Sequence, residues 1–211
     1  MWYTIKNMNS TIDTLTELFL QFPGIGKRQA RRFVYALLHK DASYIHSLTH
    51  NIQELKKQVH QCRTCYRFHS DVNQEMCGIC LQGNPETLLV VEKDADLENL
   101  HNTKVYDGCY FVLGGFISSH EKKRSFARTD ELLKRIEVDS EKGTLKELIF
   151  GLSISPEAEH TRFRLLSMIK DRYPNLTFST LGRGLSTGTE LEYSDSETLK
   201  YAITSRMSGG E

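Results

Sequence analysis

The chain has 211 residues, 27 Lys and Arg against 27 Asp and Glu, and 39% hydrophobic residues. This composition excludes global disorder, and the length leaves room for one larger domain or two to three small modules. No run approaches the ~18 apolar residues of a membrane helix, and Met1 to Ser10 lacks an apolar signal core, so a cytoplasmic location is expected.

Residues 11–22 read as a helix with Ile12, Leu15, Leu18 and Phe19 on one face, capped by Ser10 or Thr11 and ended by Pro23. Gly24-Ile25-Gly26 is a tight turn. A second helix is predicted from Lys27 to His39 with Ala30, Phe33, Val34, Leu37 and Leu38 inward. Leu48, Ile52, Leu55 and Val59 mark a third helix, and Asn84-Pro85 breaks the chain. Beyond it, predicted strands at 87–91, 109–113, 147–154 and 176–181 alternate with helices at 94–102, 129–136 and 157–171. Such alternation implies a largely parallel sheet covered on both faces. The stretch 116–128 reads as a basic loop carrying Lys122, Lys123, Arg124 and Arg128. Residues 194–196 should cap a last helix holding Leu199 and Ile203.

Four cysteines form two pairs, Cys62-Arg-Thr-Cys65 and Cys77-Gly-Ile-Cys80, with eleven residues between them. Each pair can offer two thiolates from one turn, and the second closes a tetrahedral site. Four thiolates with no open position favour one structural Zn2+ per chain. Cys109 stands alone and reads as a small buried hydrophobe.

Residues 1–80 carry 10 Lys and Arg against 6 Asp and Glu; residues 81–211 carry 17 against 21. The basic front holds Phe-Pro-Gly24-Ile25-Gly26-Lys27-Arg28-Gln-Ala-Arg31-Arg32, a helix-hairpin-helix pattern. Glycines permit close approach of a phosphate, and free N–H groups at the second helix start can bind it. Such contacts read the DNA backbone rather than its sequence. The alternative use of this hairpin is packing against a partner, with the arginines solvated.

Val90-Val91-Glu92 ends the first strand of the sheet, where α/β proteins place active sites. A metal-dependent Toprim enzyme needs this Glu plus an Asp-x-Asp after a later strand. Here the later segment is Ser153-Ile-Ser-Pro-Glu157-Ala-Glu159, and Asp94-Ala-Asp96 follows the first strand instead. The metal pair is incomplete, so a Toprim fold kept for partner binding is expected over catalysis. The enzymatic alternative is a Toprim nuclease or primase using Glu92. The Gly-rich segment after Leu181 lacks Gly-Lys-Ser/Thr and is no P-loop.

Taken in order, FPGIGKRQARR, CRTC and CGIC, LLVVE, YDGCYFVLGG and GRGLSTGTELEYSDSETLKYAITSR resemble the bacterial RecR family of recombination mediators over nearly the whole chain. The resemblance implies a multi-module α/β protein. Its parts are a helix-hairpin-helix region (1–60), a four-cysteine zinc module (61–82), a Toprim domain (83–176) and a C-terminal segment (177–211). It further implies no catalysis, a dimer or tetrameric ring on DNA, and work with RecO and RecF to place RecA on gapped or single-stranded DNA. Carried over, the family's DNA-contacting pair falls on Arg28 and Arg32, with Lys27 and Arg31 additional. The zinc ligands fall on Cys62, Cys65, Cys77 and Cys80, and the acidic RecO-facing positions on Glu92, Glu157 and Glu159. The chain departs from the pattern at Phe111, Ser153, Ile154, Ala158, Thr180 and Ser186, which cluster in the Toprim and tail regions.

Overall fold

The computed structural model describes residues 10–71, 75–118, 127–182, 185, 188 and 190–204. The chain divides into two compact units, Met1–Val59 and His60–Glu211.

The first unit is helical. Helix α1 (Thr11–Leu20) starts where Ser10 Oγ accepts the Asp13 N–H at 3.2 Å. It ends two residues short of the expected boundary. Gln21 and Phe22 bond three residues back, to Leu18 and Phe19, which tightens the last turn ahead of Pro23. Helix α2 (Lys27–Leu38) buries Ala30 and Val34, and its Phe33 meets Phe19 of α1 edge-on at 5.7 Å. Helix α3 (Ala42–Gln58) begins where Asp41 accepts the Tyr44 N–H at 2.7 Å. The residues that mark α3 are not buried within the chain: Ile52 and Leu55 are each 59% exposed and α3 buries no residue. Leu38 of α2, expected inward, is exposed.

The second unit opens with a short antiparallel pair, β1 (His60–Gln61) and β2 (Phe68–His69), which the sequence reading missed, and a one-turn helix α4 (Gly78–Gln82). The main sheet follows: β3 (Asn84–Val91), β4 (Gly108–Val112), β5 (Glu147–Gly151) and β6 (Thr177–Thr180), all parallel in the order β4-β3-β5-β6. Between them run α5 (Asp94–Thr103), α6 (Thr129–Glu141) and α7 (Pro156–Ile169).

Side chains alternate along β3, so each face receives its own core. Leu88 and Val90, with Phe111 and Leu113, pack on Leu132 and Ile136 of α6 and Leu165 and Ile169 of α7. Leu89 and Val91, with Tyr110 and Val112, pack around Leu97 of α5. Both faces are covered, which explains the continuous apolar runs. Cys109 lies in the first of these cores, and burial pushes its thiol up.

Several boundaries move. β3 takes in Asn84 and Pro85 rather than breaking there; Pro85 has no N–H to give, and the β3–β4 register shifts between Asn84 and Leu88. β5 stops at Gly151, leaving Ile154 exposed. Helix α6 continues five residues past Ile136. Arg128 is no loop cation: its guanidinium donates to Val112 O at 2.8 Å and lies over the Tyr66 ring. Lys122, Lys123 and Arg124 lie outside the described residues. So does most of the Gly-rich segment at 183–189, beyond which come a 3-10 turn (Leu191–Tyr193) and α8 (Ser196–Thr204). Asp195 caps α8 by accepting the Thr198 N–H at 2.9 Å.

Candidate nucleic-acid interface and metal centre

The basic hairpin is built by its turn. Gly24 sits at φ +77°, a conformation that strains any side chain. The Ile25 N–H bonds Phe22 O at 3.3 Å and closes the turn. Gly26 is different: its φ of −86° suits any residue, and a Cβ there would meet nothing within 4 Å. Nothing in the described fold of the chain therefore demands glycine at 26. Gly26 is the N-cap of α2, and no side chain caps that helix. Its first N–H groups are the ordinary unsatisfied donors of a helix start. Lys27, Arg28, Arg31 and Arg32 are all exposed on the first turn and a half, with no acidic residue among them. Among the described residues, Arg31 alone of the four has a carboxylate within reach, Asp13 of α1 at 4.0 Å. The arrangement offers an anion four exposed cations, one of them beside Asp13, and a helix start with no side-chain cap.

The four paired cysteines converge. Their sulfurs all lie within 4.8 Å of one another, Cys62 to Cys80 at 3.9 Å and Cys65 to Cys77 at 3.6 Å. A tetrahedral thiolate site with bonds of about 2.3 Å has edges of about 3.8 Å. All four are buried and none is in a disulfide. The set could hold a metal ion, and its donors are those a closed tetrahedral site requires. The Cys77 N–H donates to the Cys62 sulfur at 3.4 Å, a bond that favours its thiolate.

The cysteine module is fastened to the sheet. β4 is an edge strand, and its Val112 N–H donates to Cys65 O at 2.8 Å. Tyr66, held at φ 63°, packs its ring on Phe111 of the same strand. The Phe68 N–H donates to the Asp94 carboxylate at 2.7 Å, and Arg67 faces Glu98 of α5 at 3.8 Å. Arg135 of α6 donates to Thr64 O at 3.2 Å and is ion-paired with Asp139. Burial is the strongest influence on Arg135 and works against its charge, but the Asp139 hydrogen bond and the surrounding negative charge together hold the pKa above its usual value. The sequence reading missed these fasteners because the partners lie far apart in the chain.

The acidic end of the sheet does not assemble a second centre. Glu92 lies 3.3 Å from the Lys93 ammonium, in a cleft lined by Asp96, Gly151 and Ser153. Asp96 accepts the Lys93 N–H as part of the α5 cap, and Asp94 is engaged by Phe68. Glu157 sits in the first turn of α7, and Glu159 pairs with Arg162 at 2.7 Å. Among the described residues, only the four cysteines form a group of three or more side chains that could hold a metal.

A Toprim domain model matches residues 86–176, from β3 to the end of α7 and just beyond. The RecR C-terminal model matches residues 184–207, which include α8. "Recombination protein RecR" of Cytophaga hutchinsonii is 34% identical over 189 residues, 88% of each chain. The proteins of the same description from Bacteroides thetaiotaomicron and Flavobacterium johnsoniae are each 34% identical, covering 89% of both chains and 98% and 96% respectively. The chain belongs to the RecR family. The Flavobacterium RecR alignment spans 210 residues, so the basic hairpin and the cysteines lie within the family likeness as well. No described helix is long and apolar enough to cross a membrane.

Proposed function

We propose that this RecR-family chain is a non-enzymatic, cytoplasmic mediator of recombinational repair that binds the DNA backbone through α2. The observation that carries the reading is the uncapped start of α2 behind Gly26, with Lys27, Arg28 and Arg32 exposed. Gly24, Ile25 and Gly26 shape the turn, and Arg31 adds charge beside Asp13. Binding through these groups is salt-dependent and indifferent to sequence.

The module boundaries proposed for this function are residues 1–60 for DNA, 61–82 for zinc, 83–176 for the Toprim domain and 177–211 for the tail. Zinc at Cys62, Cys65, Cys77 and Cys80 is structural: it supplies folding free energy to a module too small for its own core, and takes no part in a reaction. Oligomerisation repeats the basic turn and converts weak contacts into useful affinity, which reconciles DNA binding with zero net charge. The exposed apolar side chains of α2 and α3 support that assembly as a ring or clamp. Glu92, Glu157 and Glu159 are proposed as the surface for RecO, with RecF as a further partner in loading RecA on gapped or single-stranded DNA. The engagement of Asp94, Asp96 and Glu92 with neighbouring groups weighs against the nuclease or primase alternative.

The test is a fluorescence-anisotropy titration of DNA at low salt with wild type and Arg28→Ala/Arg32→Ala. Loss of binding at unchanged oligomer mass supports the reading; unaltered binding overturns it.

A further inference from the structure

Arg135 and Asp139 stand one turn apart on α6, their side chains only 14% and 11% exposed. Neither is used by the DNA-binding reading. The Arg135 Nε–H is bonded to the Asp139 carboxylate, and Nη1 reaches Thr64 O at 3.2 Å. Thr64 lies between Cys62 and Cys65, inside the first cysteine turn. The guanidinium charge also favours the thiolate form of the buried Cys109 of β4. One buried cation is therefore tied directly to the first cysteine turn of the four-sulfur cluster.

A buried ion pair contributes little to stability by itself, because desolvation offsets its attraction. The cluster supplies a reason for this one. Four thiolates on a divalent ion leave a net charge of about −2 in a buried site, which a nearby fixed cation stabilises. An arginine fork can meet a carboxylate and a carbonyl together; a lysine ammonium has no such planar fork. We infer that Arg135 is the outer-shell cation of the metal centre. It offsets the charge of the thiolates and positions the first cysteine turn through Thr64, while Asp139 orients its guanidinium. The inference rests on the proposal that these cysteines bind zinc.

The experiment measures zinc affinity by competition with a chromophoric chelator, and the absorption of the Co2+-substituted protein. Wild type, Arg135→Lys and the double variant Arg135→Met/Asp139→Leu are compared. The double variant replaces both charges with apolar side chains, an exchange buried pairs often tolerate without unfolding. Zinc affinity is expected to fall about 10- to 100-fold in the double variant and by less in Arg135→Lys, the usual range for an outer-shell partner. The cobalt–thiolate bands should shift in both. If the double variant does not fold, Arg135→Lys decides alone. Wild-type zinc affinity and unshifted cobalt bands in either folded variant would overturn the inference, leaving a purely structural ion pair. Absence of stoichiometric zinc from the wild-type protein is a separate outcome. It overturns the metal reading, and this inference with it.

Discussion

Every residue of β4 is buried, whereas among the described residues of the N-terminal unit only Thr16, Ala30 and Val34 are. The two units meet the same requirement in different ways. The parallel sheet finds helices within its own unit for both faces and the cysteine module for one edge. The first unit leaves Leu18, Phe22, Tyr35, Leu38, Tyr44, Ile52 and Leu55 between 45% and 65% exposed. Gathered into one contiguous patch, such side chains would mark an interaction surface. One unit buries a two-faced core and carries the four-cysteine cluster; the other buries few side chains and keeps many of its apolar ones exposed.

The largest effect should come from the metal. Structural zinc in a small module contributes roughly 10–16 kcal/mol of apparent binding free energy that is coupled to folding. Cys62→Ala, or zinc removal with a chelator, should therefore lower the melting temperature of the second unit. A loss of only ~4 kcal/mol corresponds to about 8–16 °C at this size. Far-UV circular dichroism should retain the signal of α1 to α3. Simultaneous loss of that helicity would show that the first unit depends on the second.

The basic turn should give the next effect. Removing Arg28 and Arg32 deletes two charge-assisted contacts of about 1.5 kcal/mol each, or roughly a hundredfold in affinity. The slope of log K against log salt should flatten by about 2 per engaged subunit. An unchanged slope with unchanged affinity would place the main contacts elsewhere.

The exposed faces make a sharper test of the contrast. Ile52→Gln with Leu55→Gln should change folding stability by no more than about 0.5 kcal/mol, since neither is buried in the chain. If these side chains are covered by another copy, each loses about 1.5–3 kcal/mol of burial on substitution, and the dissociation constant rises at least roughly tenfold. Light scattering across a concentration series reads this directly. An unchanged oligomer would leave α3 as a free surface and move self-association to another part of the molecule.

What the sequence could disclose follows the same division. The cysteine pairs, the Gly24 turn and the alternating strands and helices are written in residues close together, and each has a local physical cause. The α3 face shows the limit of periodicity: it tells that Leu48, Ile52 and Leu55 share a side, but not whether the cover belongs to the same chain. Long-range fasteners left no local mark. Thr64 and Arg135 are 71 residues apart, and Phe68 and Asp94 are 26 apart. Asp94 looked like a displaced metal ligand because its partner is a backbone N–H that no motif records.

That position gives the smallest expected effect. Asp94→Ala removes the acceptor of the Phe68 N–H and a first-turn acid of α5. The contact is solvent-accessible, so the loss should be about 1 kcal/mol, or about 2–4 °C in the melting of the second unit. Asp94→Asn keeps an acceptor oxygen and should lose less. A catalytic carboxylate would behave in the opposite way: both variants would leave stability nearly unchanged and would abolish a magnesium-dependent activity. Thermal melts with and without Mg2+ on the same two variants distinguish a strut between the cysteine module and α5 from a remnant of metal chemistry. Equal melting temperatures, with a wild-type magnesium response that both variants lose, would revive the enzymatic alternative.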